Sequence, residues 1–265
     1  MAIIINPISP VAFSIAGLDV RWYALAYIAG FVIGYWLFRK MLASTKSPVA
    51  MDKRQLDDLL TAVILGVIIG GRLGYVLLYN PLFFILHPME ILAVWHGGMS
   101  FHGGLAGVLI ATWMFARKNK IRTLSILDML AVVAPIGLFF GRIANFINME
   151  VMGRFTDVPW AVVFNGETQI PRHPSPIYEA LGEGVFLFII MSVLYRFTGL
   201  RKHPGALSGI MAISYAGIRI ICEQFRMPDA QIGFLTSWGM TMGMLLSSIM
   251  IVAGGVILLR AFRKK

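Results

Sequence analysis

The chain has 265 residues, of which 58% are hydrophobic and only 14% charged, with a mean hydropathy of +0.76 and a formal net charge of +10. A soluble domain carries about 25% charged residues, so a water-exposed globule is excluded. A lone cysteine, Cys222, excludes an intrachain disulfide and a Cys-rich metal site. The composition predicts an all-α polytopic membrane protein, read as a single integral membrane domain over residues 1–265.

Residues 1–21 come first. Pro7, Pro10 and Gly17 interrupt the apolar run Ala2–Leu18, and the first charge is Asp19. There is no basic n-region of a cleavable signal peptide, and the segment is expected to lie at the outer interface rather than to span. Seven spans follow, near 22–38, 57–79, 98–115, 124–146, 177–195, 206–225 and 236–259, each close to the ~20 apolar residues a bilayer-crossing helix needs. Alternate connectors differ sharply in charge. Arg39, Lys40, Lys46, Lys53 and Arg54, then Arg117, Lys118, Lys120 and Arg122, then Arg196, Arg201 and Lys202, then Arg260, Arg263, Lys264 and Lys265 fall on one side. Only Arg21, Arg154, Arg172 and Arg226 fall on the other. The positive-inside rule then puts the N-terminus outside and the C-terminus in the cytoplasm. The basic excess is thus a topology signal, and nucleic acid is not implied. Between spans four and five, residues 147–176 form the longest outer piece. Its alternating "WAVVF" and the Asn165-Gly166 turn predict a small hairpin-like head.

Three arginines remain inside spans: Arg72, Arg142 and Arg219. Each costs ~2.5–3.5 kcal/mol at mid-helix on insertion scales. Each closely follows a glycine, in "GGR", "GR" and "GIR", and small residues let helices approach, so the three are expected to converge on one cavity. Acids in the same spans are few. Glu223 lies four residues beyond Arg219, on the same face, and Asp128 and Glu179 lie near span ends. A positive excess that an anionic ligand completes is therefore expected, and the arginine fork suits phosphate. The bland alternative is that each arginine pairs with an acid to fix helix packing.

In "GRIANFINMEVMGR", Arg142 and Asn145 share a helix face and Asn148 continues it, with Glu150 and Gly153-Arg154 just beyond. The asparagine amides can orient oxygen groups or simply end the helix, and Glu150 is placed to meet an arginine. In "WHGGMSFHGGLAG", glycines free the backbone for close approach, and His102 is a candidate general base. His96 and His102 are six apart with no acid to complete a ligand set, which argues against metal. "PRHPSPIYE" places His173 in a rigid connector.

The stretches "HGGMSFHGGLAG", "GRIANFINMEVMGR", "RHPSPIYE" and "GIRIICEQFRMPD" together resemble the bacterial phosphatidylglycerol–prolipoprotein diacylglyceryl transferase family over nearly the whole chain. The resemblance implies a reaction in which diacylglyceryl passes from phosphatidylglycerol to the lipobox cysteine of a prolipoprotein signal peptide, with no cofactor. It implies Arg142 and Arg219 as essential head-group residues. It also marks Tyr23, His102, Asn145, Glu150, Gly153, Glu223 and Arg226. The residues leave the general base open between His102, Glu150 and Glu223, and leave Arg72 without a role. Two other classes stand beside this reading. A transporter of anionic lipid would carry polar groups through the full membrane depth, and a structural subunit would leave the arginines unexplained.

Overall fold

The computed structural model describes all residues except Met1, Ala16, 165–169, 229–232, Trp238 and 264–265. Among the described residues, six helices are long and apolar enough to cross a bilayer: Trp22–Leu42 (α1), Lys53–Leu78 (α2), Thr123–Ile147 (α5), the continuous run Ser175–Phe197, Ala206–Glu223 (α8) and Met242–Phe262 (α9). The chain is a polytopic membrane protein. A seventh long helix, Phe101–Lys118 (α4), forms where a span was expected but is not among the six. His102, three glycines, Arg117 and Lys118 dilute its apolar content.

Two compact units divide the chain, residues 1–40 with 128–265, and residues 41–127. The second unit is built on α2 and α4, with a short helix Pro81–Leu86 (α3) and two 3-10 turns, Pro88–Ile91 and Val94–His96, between them. Helix α2 opens on a reciprocal capping box: Asp52 accepts from the Gln55 amide at 2.7 Å, and the Gln55 side chain accepts from the Asp52 amide at 3.0 Å. Glycines then bring α2 and α4 backbone to backbone. A Cβ on Gly66 would lie 2.7 Å from the Gly107 carbonyl oxygen, and one on Gly74 would lie 2.7 Å from the Gly103 Cα. Nothing larger than hydrogen fits there.

In the first unit, Val11–Ile15 (β2) and Leu18–Arg21 (β3) form an antiparallel hairpin, so the proline-broken start of the chain is strand rather than span. Ile3–Ile5 (β1) pairs in parallel with Val162–Phe164 (β4), and Val162 exchanges both backbone hydrogen bonds with Arg172. The expected head is therefore a strand flanked on both sides; its Asn165-Gly166 turn lies outside the described residues. Ser175–Phe197 begins as Ser175–Glu179 (α6), widens into a π-helical stretch Ala180–Phe186, and continues as Leu187–Phe197 (α7). Helix α8 is held at its start by Asp128 of α5, whose carboxylate accepts from the Gly205 and Ser208 amides and the Ser208 hydroxyl, each at 2.7 Å. Side-chain carboxylates suit these orphan N–H groups and the positive end of the helix dipole.

Candidate active site

The π-helical stretch creates the site. Gly182 and Gly184 leave this wide turn without side chains on the faces where its neighbours approach. A Cβ would fall 2.7 Å from Ile218 of α8 at the first and 2.6 Å from the Phe139 Cβ of α5 at the second. The glutamates beside these glycines, Glu179 and Glu183, are thereby set against the helices that carry Arg142 and Arg219. π-Bulges recur at functional sites because they re-aim side chains in this way.

The ion pairs are dense. Arg142 donates from Nε (3.0 Å) and Nη2 (2.9 Å) to the Glu183 Oε2, while its Nη1 lies 2.9 Å from the Glu179 Oε2. Arg219 places Nη1 2.8 Å from Glu179 and 3.3 Å from Glu183, and donates from Nη2 to Glu223. Arg226 joins at the edge, 3.5 Å from Glu179. Glu223 also accepts from the Thr241 hydroxyl at 2.8 Å, and Gly243 leaves room for its carboxylate.

This arrangement corrects two expectations. No positive excess exists in this cluster, because Glu179, Glu183 and Glu223 match Arg142, Arg219 and Arg226 in number. Arg72, expected to share one anion with the other two, has its five N–H groups taken up within the 41–127 unit, by the backbone carbonyls of Glu90, Ile91, Ala93, Gly97 and Gly98. The glycines next to the arginines also act differently than expected. Gly70 and Gly71 are tightly packed, but Gly141 and Gly217 have no described atom within 4 Å of a Cβ position. Close approach comes from the acid-bearing helix instead.

The layering of the cluster matters more than its net charge. The side chains of Glu179 and Glu183 are 0% exposed and that of Glu223 is 4%, against 17%, 10% and 14% for Arg142, Arg219 and Arg226. The acids are thus the more deeply buried members of each pair. A guanidinium has five N–H donors; hydrogen bonds engage two on Arg142 and two on Arg219, and the Nη1 of each also lies within 2.9 Å of a Glu179 carboxylate oxygen.

A polar lattice continues past the end of α5. Asn145 donates to the Tyr23 hydroxyl (3.2 Å) and to Glu150 (3.0 Å), and Asn148 donates to Glu150 at 3.3 Å. Glu150 thus holds the two asparagine amides rather than an arginine. The flanking Met149 and Val151 adopt φ of 55° and 59°, a left-handed conformation that is costly for a β-branched residue. Gly153 sits where the chain crosses itself: it bridges to Arg226, its carbonyl accepts from Arg172 at 3.2 Å, and a Cβ would fall 2.7 Å from that of His173. Arg154 then donates to the Arg226 and Glu223 carbonyls at 2.9 and 3.2 Å, closing the C-terminal end of α8. His102 lies in the other unit, exposed in the first turn of α4, which Ser100 caps by accepting from the Gly103 amide.

Comparison with known proteins gives a consistent answer. Residues 10–260 match the family model described as prolipoprotein diacylglyceryl transferase. The chain belongs to the prolipoprotein diacylglyceryl transferase family. Among its relatives, the phosphatidylglycerol–prolipoprotein diacylglyceryl transferase of Methylocella silvestris is 51% identical, covering 97% of this chain and 95% of its own. Those of Rhodospirillum rubrum and Azospirillum brasilense are each 50% identical, covering 97% and 100% of this chain and 94% and 98% of their own. Within this family frame, the residue that sequence reasoning missed is Glu183. Its signal was available: an ionisable residue inside an apolar run, four positions after Glu179, is by default a functional candidate.

Proposed function

We propose that this chain transfers the diacylglyceryl group of phosphatidylglycerol to the lipobox cysteine thiol of prolipoproteins, the first step of lipoprotein maturation. The relatives' shared name supports the substrates. The observation that carries the chemistry is the ion-pair cluster, in which Arg142 and Arg219, with side chains 17% and 10% exposed, are held by the fully buried Glu179 and Glu183. In this reading the two guanidiniums grip the phosphodiester. The cysteine thiolate attacks the glyceryl carbon bearing the phosphoester, the C–O bond to phosphate breaks, and glycerol phosphate leaves. Arginines already aimed at the phosphate stabilise the charge that gathers on it. No reorganisation is required of them, since Glu179 and Glu183 hold them in place.

A free thiol has a pKa of about 8.5 and needs a base. His102 takes the thiol proton, and Arg226 and Glu223 complete the head-group site with Tyr23, Asn145, Glu150 and Gly153. The N-terminus faces outward and the C-terminus the cytoplasm, as the sixteen-to-four partition of loop cations supports. The test is to incubate purified protein with phosphatidylglycerol and a lipobox peptide and to weigh the peptide. A mass increase of one diacylglyceryl group is expected, and an unmodified peptide overturns the proposal. His102→Gln is expected to slow transfer, most at low pH, while leaving lipid binding intact; a pH-independent, undiminished rate removes His102 from the base role.

A further inference from the structure

Arg72 is 5% exposed, lies in a membrane-crossing helix, and has no acidic partner among the described residues. Its environment is instead a cup of carbonyl oxygens. Nε donates to Ile91 (3.0 Å), Nη1 to Gly97 and Gly98 (3.2 Å for the second), and Nη2 to Glu90 and Ala93 (3.1 Å for the second). Five donors meet five different carbonyls, which is the full capacity of a guanidinium. Phe84 and Tyr75 close the sides, with ring centroids 5.2 and 6.0 Å from the guanidinium carbon.

This saturation has a structural result. The segment 87–98 contains two 3-10 turns and two glycines at φ 82° and 80°, none of which forms a regular ladder. The Glu90 and Ala93 carbonyls each accept one backbone amide as well, from Ala93 and His96, and Arg72 is the donor that ties all five carbonyls together. The next residues complete the link to α4: the Ser100 amide donates to the Gly71 carbonyl at 2.9 Å, and the Ser100 hydroxyl caps the helix whose second residue is His102. Residues 71 and 72 of α2 thus hold both the segment before α4 and the cap that sets its first turn.

We propose that Arg72 is a positioning residue for His102, acting through the 90–100 segment, and that the five-carbonyl cup is a guanidinium site that a free guanidinium ion can refill. Because the inference rests on the role given to His102 above, its test separates the two. Lysine has three donors and no planar fork, so Arg72→Lys is expected to behave like Arg72→Ala. In both, kcat falls on the order of 10²-fold, the lower range of a general base's contribution, while the KM for phosphatidylglycerol stays near its unsubstituted value. Methylguanidinium added to Arg72→Ala restores kcat and the protection of the 90–98 amides from hydrogen exchange; methylammonium restores neither. In a His102→Gln background, Arg72→Ala costs nothing further, as two residues acting through one step are non-additive. Gly98→Ala keeps the arginine but presses a Cβ into the Tyr75 ring, and is expected to show the same kcat-only loss.

An undiminished loss in the His102→Gln background, or a loss confined to KM, overturns the positioning role and leaves the transfer reaction untouched. Failure of methylguanidinium to restore protection overturns the guanidinium site. Full activity of His102→Gln itself overturns the base assignment, and the positioning role with it.

Discussion

Two arginine-bearing regions of one membrane protein solve the same electrostatic problem in opposite ways. Arg72 is met wholly by neutral carbonyls of a loop, which use all five donors and leave nothing for a ligand. Arg142 and Arg219 are met by buried carboxylates instead. A charge in an apolar medium must be compensated. Neutral carbonyls take up every donor of the first arginine, whereas opposite charges balance the other two. The packing follows the same division. Around Arg72, glycines of α2 and α4 meet backbone to backbone, whereas the arginine cluster is approached through glycines on the helix that carries its acids.

The comparison breaks first at the ion pairs. Removing one member of a buried pair costs about 3–5 kcal/mol, because the other charge is left uncompensated. Arg142→Gln is expected to lower the melting temperature in detergent strongly and to abolish transfer. Adding Glu183→Gln should recover the melting temperature and not the transfer; a double variant that transfers normally would show that the arginine only packs. Gly107→Ala comes next, at about 1–3 kcal/mol for overpacking, since it presses on the backbone of α2, which cannot yield. Gly182→Ala meets side chains rather than backbone, chiefly the γ-methyl of Ile218, and should cost less in the same thermal assay. An equal cost would erase the packing difference between the two regions.

Cys222 tests whether the cluster's chemistry is confined to its charges. It is buried on α8 between Arg219 and Glu223, and Cys222→Ala is expected to keep transfer activity; a dead variant would point to a covalent intermediate on the protein. The smallest effect belongs to His173, outside the spans, where burial holds the imidazole below its usual range near 6.5. The neutral form is the one the fold accepts, with Nδ1 3.2 Å from the Tyr178 hydroxyl. Its contribution to stability is complete above the ordinary value and is lost as pH falls from there through the lowered one. Protection of the 153–156 amides, taken relative to their intrinsic exchange rates at each pH, should therefore fall between pH 7 and 5, and His173→Gln should flatten that dependence.

Much of this was legible from residue types. Apolar runs located the long helices to within a few residues, since hydropathy is read directly from side chains. Intramembrane arginines drew attention to α5 and α8 because they are costly there. Their partners were harder to see. Glu183 lies in a π-helical stretch whose wider turn shifts side chains off the 3.6-residue face, so periodicity gives no warning that it reaches two arginines. Arg72's partners are peptide carbonyls, which every residue owns and no sequence marks. The N-terminal strands were hidden by their lack of a polar alternation, and the left-handed Met149 and Val151 carry side chains that usually avoid that conformation.

The clamp on α8 has a consequence for where chemistry can occur. Its first residues are tied to Asp128 and its last carbonyls to Arg154. Eighteen helical residues at 1.5 Å each make a rod of about 27 Å. A rod fastened at both tips resists sliding and rolling, so the station of Arg219 along it is set in part from the far end of its own helix. Asp128 thereby governs the placement of a guanidinium more than two helical turns away, and a change there is felt at Glu179 and Glu183 without altering either.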